Sequence, residues 1–391
     1  MAGSSPVSRI HSEAQASGAS GFNMPPALRF AVVLTLLYLF LVGVKLLEGG
    51  INALGSEFTD TLFEGVTNPI AGLFVGILGT VLVQSSSVTT STIVGLVAAG
   101  VVDVSVAVPM IMGANIGTTV TNTIVAMAHM RRTEEFRLAI TAATMHDFFN
   151  VLAVAVLLPI EVATGFLQKG AEEITSVLVG NEGLGGSFDS PIKGAVKWLA
   201  SIIEDVIKVV FSVGNASGTV GIFVGVGLIF VTLAFITKNM RLLVASRIER
   251  SLNAALARSG LVGMAVGIVV TASVQSSSIT TSILIPLAAS GVLTIANAYP
   301  ITLGANVGTT ITALLAALGA GAVEGLTIAI VHTLFNVTAI AVFYPWPPLR
   351  RVPLVMAGRL ADAAVDHRVA AVVYLLVMFI AIPLLGIVIL R

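Results

Sequence analysis

No cysteine occurs in the 391 residues. That excludes a disulfide framework, a thiolate metal site and a cysteine nucleophile. Charge is almost as scarce: Asp, Glu, Lys and Arg make up 10% of the chain, against about 25% in soluble globular proteins. A water-exposed surface cannot be built from so few charges, which argues against a soluble enzyme. The formal net charge is zero, which leaves no global basic field and no case for nucleic-acid binding. There is no Walker sequence, no His-Glu-x-x-His and no nucleotide loop, so nothing supports ATP-driven pumping or hydrolysis. What the chain has is apolar surface and glycine. Hydrophobic residues reach 56%, with 38 glycines and a mean hydropathy of +1.01. These mark an integral membrane protein whose helices pack closely or break inside the bilayer.

Residues 1–28 are small and polar and read as a disordered tail. The first apolar span runs from Phe30 to Leu47. Others lie at 107–128, 138–159, 219–237, 298–318, 326–345 and 370–390. Each is long enough to cross roughly 30 Å of hydrocarbon. The apolar stretches 69–100 and 260–292 are interrupted midway by Gln84-Ser85-Ser86-Ser87 and Gln275-Ser276-Ser277-Ser278. Each half is too short to span. Irregular backbone is tolerated at membrane depth only inside protein or beside a water-filled cavity. These stretches therefore read as re-entrant hairpins of half-helices with the polar run at the tip.

Basic residues cluster at Arg131, Arg132 and Arg137, at 238–258, and at Arg350, Arg351, Arg359 and Arg368. The positive-inside rule puts these clusters and the N-terminus in the cytoplasm. The basic linker 238–258 suits contact with lipid headgroups. Residues 161–218, richer in acids than in lysines, then form an external loop. The expected organisation is a first repeat over 29–160, that loop, a second repeat over 219–346, and a cytoplasmic linker with a last transmembrane helix over 347–391.

The chain repeats itself. Residues 72–122 align with 263–313 at a constant offset and without a gap. Gly113-Ala114-Asn115-Ile116-Gly117-Thr118-Thr119 faces Gly304-Ala305-Asn306-Val307-Gly308-Thr309-Thr310, and His146-Asp147-Phe148-Phe149-Asn150 faces His332-Thr333-Leu334-Phe335-Asn336. The number of spans between the copies gives them opposite orientation. Inverted repeats with broken helices are the mark of a secondary transporter with its site near the midplane between repeats. The expected fold class is thus an all-α integral membrane protein, an inverted-repeat secondary transporter with two re-entrant hairpins and broken helices.

A serine-rich tip that opens a half-helix leaves backbone N–H groups unpaired. The helix dipole adds partial positive charge, so the tip favours an anion. Two such tips, Ser85, Ser86 and Ser87 with Ser276, Ser277 and Ser278, can hold one tetrahedral oxyanion from both sides. The alternative is that these hydroxyls only join helices. Two glycines around Asn115 and Asn306 are expected to unwind the helix locally. The freed carbonyls, the two asparagines, Thr118 and Thr309 then supply hard oxygen ligands for sodium, unless the glycines serve only close packing. Asp147 sits near the middle of a span, where an ionisable residue is a functional-site hypothesis by default. Its expected partner is a cation or His146.

At these motifs the sequence resembles the type II sodium–phosphate cotransporters (solute carrier family 34 and bacterial relatives). The matching text is Val83 through Ser87, Met112 through Thr118, Phe136 through Asn150, Leu157 through Thr164, and the second-copy motifs. The resemblance implies that Ser85, Ser86, Ser276 and Ser277 lie near phosphate. It implies Gln84, Thr89, Gln275, Ser278 and Thr281 as sodium or phosphate ligands. Asp147 matches the aspartate that separates electrogenic members from electroneutral ones.

The expected function is sodium-coupled import of inorganic phosphate across the plasma membrane by alternating access, electrogenic, without enzymatic activity. No cofactor is expected beyond sodium as coupling ion. The expected partners are phosphate, sodium and membrane lipid. A sodium-coupled carboxylate transporter and a passive anion channel are the alternatives.

Overall fold

The structure is a computed structural model that describes residues 24–54, 68–180, 193–211, 216–256 and 260–390. Among these residues every regular element is helical. Seven helical stretches are long and apolar enough to cross a membrane. They are α1 (Pro26–Leu54), the pair α4 (Val104–Gly117) and α5 (Val120–Met127), α6 (Thr133–Thr164), the first part of α9 (Ala216–Leu256), α12 (Ile295–Ala320), α13 (Val323–Phe343), and the stretch Val369–Leu390. All seven expected spans are present, so the protein is an all-α membrane protein.

The interrupted stretches fold as helix–turn–helix units. The first comprises α2 (Pro69–Val83) and α3 (Ser86–Ala98); the second comprises α10 (Gly260–Val274) and α11 (Ser277–Ala289). The turn falls on the polar run in both.

Burial orders the helices. Of the most apolar 18 residues of each, 83% are buried in Val104–Met127 and 72% in Ile295–Ala320, but only 11% in Val369–Leu390. The first two are central and the last lies on the rim, where Leu384, Leu385, Val388 and Ile389 are exposed. Apolar side chains there face hydrocarbon at no cost.

The two repeats pack alike because their glycines do. An added Cβ at Gly113 would sit 2.0 Å from the Leu73 carbonyl, and at Gly304 it would sit 2.0 Å from the Met264 carbonyl. Backbone touches backbone where α2 crosses α4 and where α10 crosses α12, the close approach that small residues allow.

One expected boundary is corrected, and three stretches named by their place in the chain take on helical structure. Residues 1–23 lie outside the described residues, but helix α1 begins at Pro26, inside the stretch read as tail. The external loop 161–218 contains two helices, α7 (Phe166–Val179) and α8 (Lys193–Val210). Each buries a single stripe, Leu167, Ala171 and Thr175 in α7 and Val196, Ala200 and Ile207 in α8. That stripe is the helical period, masked in the sequence by charge. The linker 238–258 continues α9 to Leu256, making one helix about 60 Å long at 1.5 Å per residue. Finally, the linker at the start of 347–391 is helical, α14 (Pro347–Asp366), and is followed by α15 (Val369–Leu376), a π-helical turn over Val377–Ala381 and α16 (Ile382–Leu390).

Candidate functional site

Each hairpin turns on its glutamine. Gln84 has φ 55° and Gln275 φ 57°, the non-glycine residues at positive φ among those described. The left-handed region disfavours a residue with a Cβ, and glycine usually ends a helix there. Each glutamine offsets this with its own amide. Gln84 Nε2 donates to the Val81 carbonyl and its Oε1 accepts from the Thr121 hydroxyl at 2.9 Å. Gln275 repeats both bonds, Nε2 to the Ala272 carbonyl at 2.5 Å and Oε1 from Thr312 at 2.7 Å. Thr121 and Thr312 are repeat equivalents. They lie inside the aligned segments, so the alignment could have singled them out.

The serines divide by job. Ser85 Oγ accepts from Val88 N–H at 3.3 Å and Ser276 Oγ from Ile279 N–H at 3.4 Å. These are N-caps of α3 and α11, and they accept one of the orphan N–H groups of the first turn. Ser87 Oγ donates to the Gln275 carbonyl at 3.1 Å, so the two tips touch. Ser86, Ser277 and Ser278 have hydroxyls engaged in no intramolecular bond; Ser86 is 6% exposed and Ser277 3%. Two helix N-termini therefore meet at that contact, and the free hydroxyls belong to their first turns. The arrangement can bind an anion without a fixed positive side chain.

The Gly-Ala-Asn runs behave differently from expectation. Asn306 lies inside the continuous helix α12, and Asn115 lies inside α4, which breaks only after Gly117, at Thr118-Thr119. The glycines buy close helix contact instead. Thr118 and Thr309 each donate to the carbonyl four residues back, Ala114 and Ala305, at 3.0 Å. Thr89 likewise donates to the Ser85 carbonyl at 3.1 Å.

A buried polar chain joins the two repeats. His146 Nε2 pairs with Asn306 Oδ1, Asn306 Nδ2 donates to Asn150 Oδ1 at 2.8 Å, and Asn150 Nδ2 donates to the Asn115 carbonyl at 2.9 Å. Its repeat mates are not joined in the same way. Asn115 Nδ2 turns to the Ile111 carbonyl, and both ring nitrogens of His332 and Asn336 Oδ1 are buried without a partner.

Asp147 is fully buried, and His146 is not its partner. Successive helical residues point about 100° apart, so His146 faces Asn306 while Asp147 faces Tyr374. Tyr374 donates to Asp147 Oδ2 at 3.3 Å, and Oδ1 has no partner. On the second tip, Asn122 Oδ1 accepts from Thr281 at 2.9 Å and Ser282 at 3.2 Å. Asn122 and Tyr374 were missed in the sequence. Asn122 closes the aligned first copy, but Tyr374 lies outside both copies and carries no signal. The residues expected to hold sodium thus fall into separate groups: Gln84, Gln275 and Thr281 at the tips, Asn115 and Asn306 in or beside the polar chain, and Asp147 beside Tyr374.

Comparison with known proteins agrees with this architecture. The family model described as Na+/Pi-cotransporter matches residues 39–180 and 228–384. The chain is 34% identical to the sodium-dependent phosphate transport protein 2A of Rattus norvegicus, covering 91% of this chain and 67% of that one. It is 35% identical to the 2A protein of Oryctolagus cuniculus, covering 91% and 66%. Against the 2B protein of Homo sapiens it is 41% identical over 189 residues, 47% of this chain and 27% of that one. The chain thus spans about two thirds of the length of these 2A relatives. No solved structure matches it. Both halves carrying the paired hairpins fall inside the matched residues, and the chain belongs to the Na+/Pi-cotransporter family.

Proposed function

We propose that this protein is a sodium-coupled importer of inorganic phosphate working by alternating access. The observation that carries the reading is the meeting of the two Gln-Ser-Ser-Ser tips, Ser87 Oγ against the Gln275 carbonyl at 3.1 Å. Family membership supplies the chemistry that this meeting serves, since the relatives named above are sodium-dependent phosphate transport proteins.

In this reading Ser85–Ser87 and Ser276–Ser278 surround phosphate. The free hydroxyls of Ser86, Ser277 and Ser278 and the N–H groups of α3 and α11 donate to its oxygens. No Lys or Arg has to be held at that depth, so the empty site carries no uncompensated charge. Sodium binds near Gln84, Thr89, Asn115, Thr118, Gln275, Thr281, Asn306, Thr309 and Asp147. The unpartnered Oδ1 of Asp147 is the strongest ligand among them, because a buried carboxylate with only neutral hydroxyls beside it is unfavourable until a cation arrives. Sodium and phosphate then neutralise each other's burial, which couples their binding. The helix–turn–helix units are re-entrant hairpins in two repeats of opposite orientation. The N-terminus lies in the cytoplasm and the protein resides in the plasma membrane. The like packing of the two copies supports that symmetry.

The test is uptake of radiolabelled phosphate into proteoliposomes holding the purified protein. An inward sodium gradient should drive accumulation against the phosphate gradient, and unlabelled phosphate should compete while succinate should not. Phosphate flux of equal size without sodium would overturn the proposal.

A further inference from the structure

A second polar site lies at the far end of α10 from the serine tip. Along that helix the two are separated by about 16 Å, eleven residues at 1.5 Å each. Here a cavity of about 380 Å³ opens between the start of α10, the start of α12, the end of α13 and the start of α14. Arg350, Arg351, Tyr299, Tyr344 and Asn297 line it, and no carboxylate does.

Each of its features favours an anion. Tyr299 is 1% exposed, yet its hydroxyl has no partner. A buried hydroxyl left unpaired is unfavourable, and Tyr299 belongs to the cavity wall, where a ligand oxygen is the acceptor it lacks. The guanidinium of Arg350 stacks on the Tyr344 ring, 5.3 Å from its centroid. Stacking orients the planar fork and leaves its N–H donors free for a ligand. Neither Arg350 nor Arg351 forms an ion pair with a described residue. Arg350 closes the first turn of α14 and Arg351 follows it; positive charge near a helix N-terminus opposes the helix dipole, and an anion would relieve that opposition. On α14 and at its N-cap, Trp346, Leu349, Val352 and Val355 are exposed, an apolar strip suited to the acyl region below a headgroup.

We infer that this cavity binds a phosphate group, held by Arg350, Arg351 and the Tyr299 hydroxyl, separately from the serine tips. The apolar strip makes the phosphodiester of an anionic lipid the first source, and free inorganic phosphate the second. The tests use the full-length chain and read binding, so they do not depend on transport or on the proposed function.

Native mass spectrometry of the detergent-purified protein, titrated with phosphatidylglycerol or phosphatidylcholine, reads the lipid arm. Equilibrium dialysis with radiolabelled inorganic phosphate in sodium-free buffer reads the other, on a Ser86→Ala, Ser277→Ala background. Arg351→Gln should weaken the bound probe about ten-fold, the loss of one charge-assisted bond. Tyr299→Phe should weaken it roughly three- to ten-fold without removing any apolar contact. Arg351 is exposed and Tyr299→Phe is nearly isosteric, so both variants should fold. Preferential, variant-sensitive retention of phosphatidylglycerol assigns a lipid. Variant-sensitive phosphate binding, insensitive to lipid, assigns the free ion. If both variants bind both probes as the wild type does, the site does not exist.

Discussion

The Ser87 hydroxyl donates to the Gln275 carbonyl at 3.1 Å, so the last serine of one polar run rests on the first residue of the other. The contact joins halves of the chain 188 residues apart. It also separates the serines into those already engaged and those free for a ligand, and the two kinds should respond differently to substitution.

Ser86→Ala with Ser277→Ala should raise the phosphate KM strongly. Each removes a free hydroxyl from the first turn of α3 or α11, and leaving a buried phosphate oxygen unpaired costs about 1–3 kcal/mol. Ser87→Ala should alter KM far less and act on turnover, because its hydroxyl serves the contact between tips. Sodium-driven uptake measured over a range of phosphate concentrations separates the two. Unchanged KM in the double variant would remove the serines from the site.

Asp147→Gly should leave phosphate uptake in place while reducing its response to membrane potential. The Oδ1 atom of Asp147 is buried and unpartnered, which suits a coupling cation. One charge moved inward gains about 2.3 kcal/mol per 100 mV. Uptake into proteoliposomes under an imposed inside-negative potential is the measurement. Equal acceleration of wild type and variant would mean that Asp147 carries no coupling charge.

Asn306→Ala should destabilise the protein more than Asn336→Ala, although the two asparagines belong to matching polar sets. Asn306 bonds both His146 and Asn150, and its loss strands two buried polar groups at about 1–3 kcal/mol each. Asn336 Oδ1 is already unpartnered, and only its Nδ2 bond to the His332 carbonyl at 3.0 Å is lost. Thermal unfolding in detergent would show the order, and equal losses would contradict the asymmetry.

Two glycine substitutions should act in opposite directions. At Gly304 an added Cβ would lie 2.0 Å from the Met264 carbonyl, and the backbones must separate, at a cost of about 3 kcal/mol or more. At Gly358, inside α14, it would meet nothing within 4 Å, so alanine should stabilise by up to about 1 kcal/mol through helix propensity. The melting temperatures of the two variants check the signs.

The sequence by itself determined the membrane class, the seven spans, the two interrupted helices and the pairing of their motifs. These depend on length, hydropathy and internal identity, all of which are local or read by comparing the chain with itself. The glutamine turns were legible as interruptions because a polar run in an apolar stretch has no other place to go. Their left-handed backbone was not, since glutamine tolerates that region only when Thr121 and Thr312 pin its amide, and those threonines come from other helices. The same reason covers the rest. Whether the glycines around Asn115 and Asn306 unwind a helix or admit a neighbour depends on whether α2 and α10 lie against them. Whether Asp147 meets His146 or Tyr374 depends on which helix its face turns toward. Those choices belong to packing between segments far apart in the chain, and only the tertiary structure decided them.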